Sequence, residues 1–389
     1  MAESKHYRNL YPLIGGICTL SLAMGISRFG FTPIIPLMQR DIGVTDWNIA
    51  VMASANYLGY LVGAYISRKQ WMRNHLRTWL GAGLVTSILL LIGMPLTLKH
   101  LVWTFFRLGS GFLSAILFVI ASSVTLGQGR SDWAGYLYSG VGIGIALTGL
   151  FVPLFDSIGG WQTAWLGLAL GGSVFGVLSW CMLVKAAQAE SEAPGQIRSS
   201  NELVRDYKWY VLLISYGLEG VGYIITATFI VQMIKSMPEL NPIANQSWVL
   251  IGLAAAPSTY LWARIAQKTG IKTSLMLAYG MQALGILLPV LIPNQVSTLL
   301  GGALFGGTFM GITSLSITLA YQLKPEVQIQ AIGELTTIYA LGQIIGPIIA
   351  AHLQKNFGMM MPSLFAVVVL LLALLVLTTL RMNKRGGAV

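Results

Sequence analysis

The sequence predicts an all-α membrane protein whose twelve transmembrane helices form two six-helix bundles. Three observations predict it. Of 389 residues, 55% are hydrophobic and only 10% charged. Twelve apolar runs of spanning length follow one another along the chain. One long polar stretch divides them six and six. Soluble domains carry about a quarter charged residues, so a chain with so few could not clothe a water-exposed surface. Forty-four glycines agree, because Gly is commoner in membrane helices than in soluble ones.

A spanning helix needs about 20 apolar residues. The runs that reach this length are 10–38, 46–66, 78–98, 100–126, 133–157 and 160–184, then 207–234, 246–266, 273–292, 295–322, 329–353 and 360–381. The first run is too long for a signal-peptide core and shows no early small-residue cleavage site, so it reads as a retained helix. Residues 185–206, with Glu190, Glu192, Pro194, Gly195, Ser199, Ser200 and Asn201, read as a linker. The expected organisation is a tail at 1–9, a bundle at 10–184, the linker at 185–206, a second bundle at 207–381 and a tail at 382–389.

Charge orients the chain. The net charge is +11, yet the basic residues lie in short gaps between apolar runs and not on one face, which argues against nucleic acid. Eighteen Lys and Arg fall in one set of gaps and tails; only Arg40, Lys99, Lys235 and Lys355 fall in the other. By the positive-inside rule both termini and the linker are cytoplasmic. The halves echo each other at an offset of 195: Gly25 falls on Gly220, Met38 on Met233, Tyr65 on Tyr260, Thr78 on Thr273 and Gly111 on Gly306. With equal helix counts this suggests two parallel repeats.

Ionisable residues inside a span are costly, about 2.5–3.5 kcal/mol each on an insertion scale, and so point to function. Four stand out: Arg28, Arg107, Glu219 and Glu334. Such groups should face a wet cavity or one another. Ser215, Tyr216, Glu219, Tyr223 and Thr226 suggest a polar stripe along one helix. Pro33 and Pro36, just beyond Arg28, predict a break in the first helix. Phe29, Phe31, Trp103, Phe105, Tyr136 and Tyr138 are aromatic candidates for substrate contact or for packing. Cys18 and Cys181 lie in apolar runs as packing residues, and His6, His75, His100 and His352 are scattered, so neither a disulfide framework nor a metal site is expected. No phosphate-binding loop, HExxH or GxSxG occurs, so neither an ATP-driven pump nor an enzyme is expected.

Twelve helices split by a cytoplasmic linker resemble the major facilitator superfamily. The run from Ala23 to Met38, AMGISRFGFTPIIPLM, closely resembles the first helix of the bacterial YbfB/YjiJ group, and Tyr339 to Pro347, YALGQIIGP, is similar to its eleventh helix. The resemblance covers essentially the whole chain. It implies a rocker-switch carrier with a cavity lined by helices 1, 4, 7 and 10, where Arg28, Arg107 and Glu219 would meet. Arg107-Leu108-Gly109-Ser110-Gly111 resembles the superfamily's helix 4 motif, whose Arg is tied to proton coupling, with Ser110 where Gln is usual. The loop after helix 2 departs further: Ser67 stands where the motif GxxxDRxGR[RK] has Asp, while Arg68 remains. Gly140, Gly142, Gly144 and Gly149 resemble the antiporter glycine motif loosely.

The expected function is proton-coupled movement of a small anionic or zwitterionic organic solute across a bacterial inner membrane by alternating access. Arg28, Glu219, Arg107, Tyr216, Tyr223 and Phe31 would bind the solute; Glu219 and Arg107 would couple the proton; Arg68 and Glu334 would gate. Expected partners are the solute, protons and the bilayer, with no cofactor, no nucleic acid and a monomeric chain. A proton-driven exporter of drugs or metabolites is the alternative. A non-transporting sensor is a third reading, and no output domain supports it.

Overall fold

The computed structural model describes residues 10–127, 131–192, 206–324 and 328–381. The tails, and with them Lys5, Arg8, Lys384 and Arg385, lie outside the described residues, as do Arg130, Arg198, Arg205 and most of the expected linker. The described residues are almost entirely helical and contain no strand. The helices are α1 (Tyr11–Leu20, Ser21–Arg28 and Phe31–Ile42), α2 (Asp46–Ile66), α3 (Leu76–Gly93), α4 (His100–Leu126), α5 (139–158) and α6 (161–192), then α7 (Tyr207–Lys235), α8 (Ala244–Thr269), α9 (Ile271–Leu291), α10 (Gln295–Leu323), α11 (Gln328–Phe357) and α12 (Met361–Thr378). Among the described residues, eleven continuous helical stretches are long and apolar enough to cross a membrane, and the one spanning α5 and α6 does so twice. Its reversal is at Gly159–Gly160. Gly160 has φ of +73°, a left-handed conformation that a side chain disfavours. The described residues therefore form twelve spans of a multi-pass membrane protein.

The apolar runs locate these helices within a few residues, with one marked departure. Helix α6 continues through Lys185 to Glu192, into the stretch expected to be linker. Hydropathy ends near residue 184, but Ala, Lys, Gln and Glu are strong helix formers and carry the helix out of the apolar layer.

The two halves pack alike. In the first, α2 lies on α4 and α1 on α5; in the second, α8 lies on α10 and α7 on α11. The resemblance is residue by residue at the offset of 195. A Cβ on Gly25 would meet Gly144, and one on Gly220 would meet the carbonyl of Tyr339. A Cβ on Gly111 would meet the carbonyl of Asn56, and one on Gly306 that of Ile251. Each pair maps onto the other when 195 is added, so the same glycines permit the same close helix approach in both halves.

Across the halves, α5 packs on α8, α2 on α11 and the later part of α1 on α7. Thr32 Oγ1 donates to the carbonyl of Ala227 at 2.8 Å; these residues are themselves 195 apart, so the repeats meet there. Exposed apolar side chains such as Val85, Leu89, Phe105, Leu170 and Leu375 form the outer surface, as a lipid-facing surface requires.

Candidate functional site

Helix α1 loses its regular hydrogen bonding before the prolines, not at them. Ser21–Arg28 is wound as π-helix, the amide of Phe29 donates to the carbonyl of Met24 at 3.1 Å, and α-helix resumes at Phe31. Pro33 falls in the first turn of the resumed helix, where a missing N–H costs little. The break predicted at Pro33 and Pro36 is thus displaced toward Ser21–Gly30. Carbonyls at the break are taken up by Arg107 of α4: Nη1 donates to Ser27 O and Nη2 to Arg28 O, each at 2.9 Å. Ser110 Oγ also donates to Ser27 O at 3.2 Å, and the Arg107 guanidinium lies 4.7 Å from the Phe31 ring centroid. Arg107 therefore spends its fork on the backbone of α1.

Arg28 is 4% exposed and projects between the halves. Its guanidinium lies over Tyr60 at 4.2 Å, Tyr57 at 4.9 Å and Phe29 at 5.4 Å. Its Nη2 donates to Gln343 Oε1 of α11 at 3.1 Å, and Nε has no partner. Among the described residues, no carboxylate forms an ion pair with Arg28 or Arg107. Both guanidinium groups are thus buried with no carboxylate counter-ion among the described residues, and a buried charge left without one is costly.

Glu219 of α7 is fully buried. Gln282 Nε2 of α9 donates to its Oε1 at 3.4 Å, Tyr339 of α11, Tyr216 and Tyr279 are further polar neighbours, and Oε2 has no hydrogen-bond partner within 3.5 Å. Glu219 makes no direct pair with either arginine. The two regions are joined instead through α11, where Tyr339 near Glu219 and Gln343 on Arg28 are one turn apart.

Aromatic rings fill the space between. Tyr216 stacks on Tyr339 with centroids 4.4 Å apart, and Tyr223 stacks on Phe309 at 5.2 Å, Phe305 at 5.9 Å and Tyr339 at 6.2 Å. Phe29 meets Phe309 edge-on across the halves at 6.3 Å. The residues of the stripe expected on α7 lie within about 100° of one another around the helix and meet different neighbours. Ser215 bonds Ala373 O of α12 and Glu219 turns to α9, while Tyr216 and Tyr223 stack toward α10 and α11.

Of the remaining aromatic candidates, Phe31 stacks on Trp165. Trp103 packs on Trp161 and bonds Met94 O, Phe105 is 62% exposed on the outer surface, Tyr136 lies on Tyr260 and Tyr138 on Phe118. Tyr57, Tyr60, Gln282, Phe309, Tyr339 and Gln343 were not singled out by the sequence for the site. Tyr339 and Gln343, polar residues four apart in an apolar run, were the available signal.

Both ends of the bundle carry contacts between halves. At the end opposite the chain termini, Asp46 Oδ1 accepts from Gln39 Nε2 and from Gln232 Nε2 of α7, each at 2.7 Å. At the termini end the halves meet at Gly333, where a Cβ would strike the guanidinium of Arg68; within the second half the adjacent Glu334 Oε2 accepts from Trp209 Nε1 at 2.9 Å. Asp206 caps α7 through the Trp209 amide and pairs with Lys324 at 3.1 Å. Burial alone would raise its carboxyl; the Trp209 amide and the Lys324 ammonium outweigh burial and hold it below the ordinary carboxylate value. Among the described residues no group of His, Cys, Asp and Glu could hold a metal ion.

Comparison with known proteins agrees with the fold. The family described as "Uncharacterised MFS-type transporter YbfB" matches residues 20–378. Azole resistance protein 1 of Saccharomyces cerevisiae is 30% identical over 156 residues, 38% of this chain and 25% of that protein. The MFS-type transporter GME11371 of Pestalotiopsis microspora is 26% identical over 151 residues, 39% of this chain and 28% of that one. The matched segment thus spans about a quarter of each curated relative. The crystal structure of a point mutant of the nucleoside transporter NupG superposes with a TM-score of 0.76 at 13% identity, covering 95% of this chain and 99% of that one, a likeness of fold.

Proposed function

Because the chain belongs to the MFS-type transporter family described under YbfB, we propose that it carries a small organic anion or zwitterion across the membrane by alternating access. The observation that carries this reading is the buried Arg28 guanidinium, held between the halves by Gln343 and lacking a carboxylate partner among the described residues. A guanidinium presents a planar fork matched to carboxylate and phosphate. The aromatic rings around it exclude water, so an anion's attraction to Arg28 is little screened there.

The proposed cycle follows from where the bonds lie. Solute at Arg28 competes with Gln343, so loading the site loosens a contact between halves. Both end contacts between halves are closed together here, so the cycle opens one end at a time: release of Asp46–Gln232 with Arg68 still against Gly333, then the reverse. Glu219 takes and releases the proton. Its unpartnered Oε2 is the acceptor, and Tyr339 and Gln343 on α11 carry the effect to Arg28. Arg107 fixes the backbone that aims Arg28, a positioning role in place of direct solute contact. The bacterial inner membrane, with both termini cytoplasmic, is the proposed setting, and a monomer the proposed unit.

Export of amphipathic compounds is the second reading. The stacked rings of α7, α10 and α11 and the name of the yeast relative favour it. A thermal-stabilisation screen of the purified protein with organic acids, amino acids, sugars and lipophilic cations tests the choice, since a ligand that binds only the folded state raises its stability. Stabilisation by acids that vanishes in Arg28→Gln supports the anion reading. Stabilisation by lipophilic cations alone contradicts it.

A further inference from the structure

Each half has a cavity at the termini end, and the two are related by the same offset of 195. One, about 520 Å³, is lined by Tyr65, Ser67, Arg68, Lys69, Arg73 and Glu190 among others. The other, about 670 Å³, is lined in part by Ala263, Ile271, Ser314 and Thr318. Adding 195 to Arg68, Leu76, Val119 and Ser123 of the first gives these four residues of the second, so the repeat supplies an internal comparison.

The two differ in charge. The second cavity has one charged lining residue, Lys272, whose Nζ already donates to the carbonyls of Thr378 at 3.0 Å and Leu380 at 2.6 Å. The first has three cations against one acid. Among the described residues none of Arg68, Lys69, Arg73 and Glu190 takes part in an ion pair. Lys69 Nζ rests on the Tyr65 hydroxyl at 3.3 Å, and Ser67, whose Oγ donates to Ala64 O, offers no negative charge. Beside the cavity Trp71, 51% exposed, packs on Trp79. Amphipathic rings of this kind sit at headgroup depth.

We propose that the cavity of the first half binds a phosphate-bearing anion of the size of a phosphodiester lipid headgroup, held by Arg68, Lys69 and Arg73. Clustered basic residues beside membrane helices attract anionic lipid, and this cluster surrounds a hollow instead of lying flat. Occupancy bears on the transport cycle, because the Arg68 guanidinium also abuts Gly333 of the second half.

Native mass spectrometry of the full chain in detergent tests the site, with phosphatidylglycerol, phosphatidylcholine and inorganic phosphate as probes. Wild type retains phosphatidylglycerol over phosphatidylcholine. Lys69→Gln/Arg73→Gln loses this preference by about tenfold or more, the ordinary worth of two basic side chains near an anionic headgroup. Lys69→Arg/Arg73→Lys keeps it, which separates charge from folding. The matched pair Arg264→Gln/Lys268→Gln, 195 residues on, leaves it unchanged. Displacement of the lipid by inorganic phosphate identifies the phosphate group itself as the ligand; resistance to displacement identifies the lipid. Equal retention of the two lipids by wild type, or equal loss in both Gln pairs, overturns the proposal.

Discussion

Arg28 and Gln343 join the two halves at their buried centre, Nη2 to Oε1 at 3.1 Å, across 315 positions of sequence. The contact is neutral on one side and charged on the other. Gln343 can hold the guanidinium while no anion is present and yield to a carboxylate that binds it more strongly, since ionised acceptors make the shorter and stronger hydrogen bonds. A permanent Glu or Asp there would neutralise Arg28 and lock it.

Arg28→Lys keeps the charge but loses the fork. Affinity for an anionic solute is expected to fall about tenfold or more, because a bidentate site does not accept an ammonium as an equivalent. Equilibrium binding by calorimetry with the best stabilising acid measures it.

Arg107→Ala removes two charge-assisted bonds to the α1 break. Such bonds are worth about 1.5–3 kcal/mol each, so a stability loss of ~3 kcal/mol is expected and shows in thermal unfolding without any ligand. An unchanged melting temperature with abolished binding would place Arg107 on the solute and not on the backbone.

Glu219→Gln keeps the shape of the buried carboxyl and removes its charge. Counterflow of solute in proteoliposomes should persist, while accumulation driven by a pH gradient is lost. Wild-type accumulation would remove Glu219 from the proton path.

Gln232→Ala deletes the α7 donor to Asp46. With Gln39 left as its partner, the end opposite the termini should open more often. Spin labels at the far ends of α2 and α8 should show a larger population of long distances by double electron–electron resonance. An unaltered distribution would mean that Thr32–Ala227 and the α5–α8 packing hold that end closed.

Gly111→Ala should destabilise by about 1–3 kcal/mol, the usual cost of overpacking, because its Cβ would meet the Asn56 carbonyl. Gly280→Ala, in mid-helix, meets nothing within 4 Å and serves as the clash-free control, with stability unchanged or raised by up to about 1 kcal/mol. Both are read from thermal melts.

How far the sequence reached depends on what each feature costs. A span cannot be short of apolar residues, so α2 and α4 are predicted at 46–66 and 100–126 and found at Asp46–Ile66 and His100–Leu126. The polar end of α6 escaped because leaving the apolar layer carries no hydropathy signal. The winding of Ser21–Arg28 escaped because π-helix has no composition of its own, and the prolines drew attention downstream. Arg28, Arg107 and Glu219 were visible because charge is costly in a membrane. Gln343, Gln282 and Tyr339 are neutral and cost less, so burial in a span does not mark them; Tyr339 and Gln343 stand in the sequence only as part of the run YALGQIIGP. Their importance lies in which residue they face across the halves, and no local spacing records that.

The most direct test of an anion site at Arg28 is calorimetric titration of wild type and Arg28→Gln with the acid that stabilises the protein best. Binding to wild type that is lost in Arg28→Gln, with both proteins equally folded by circular dichroism, is the expected result. Equal affinity in the two would contradict the account.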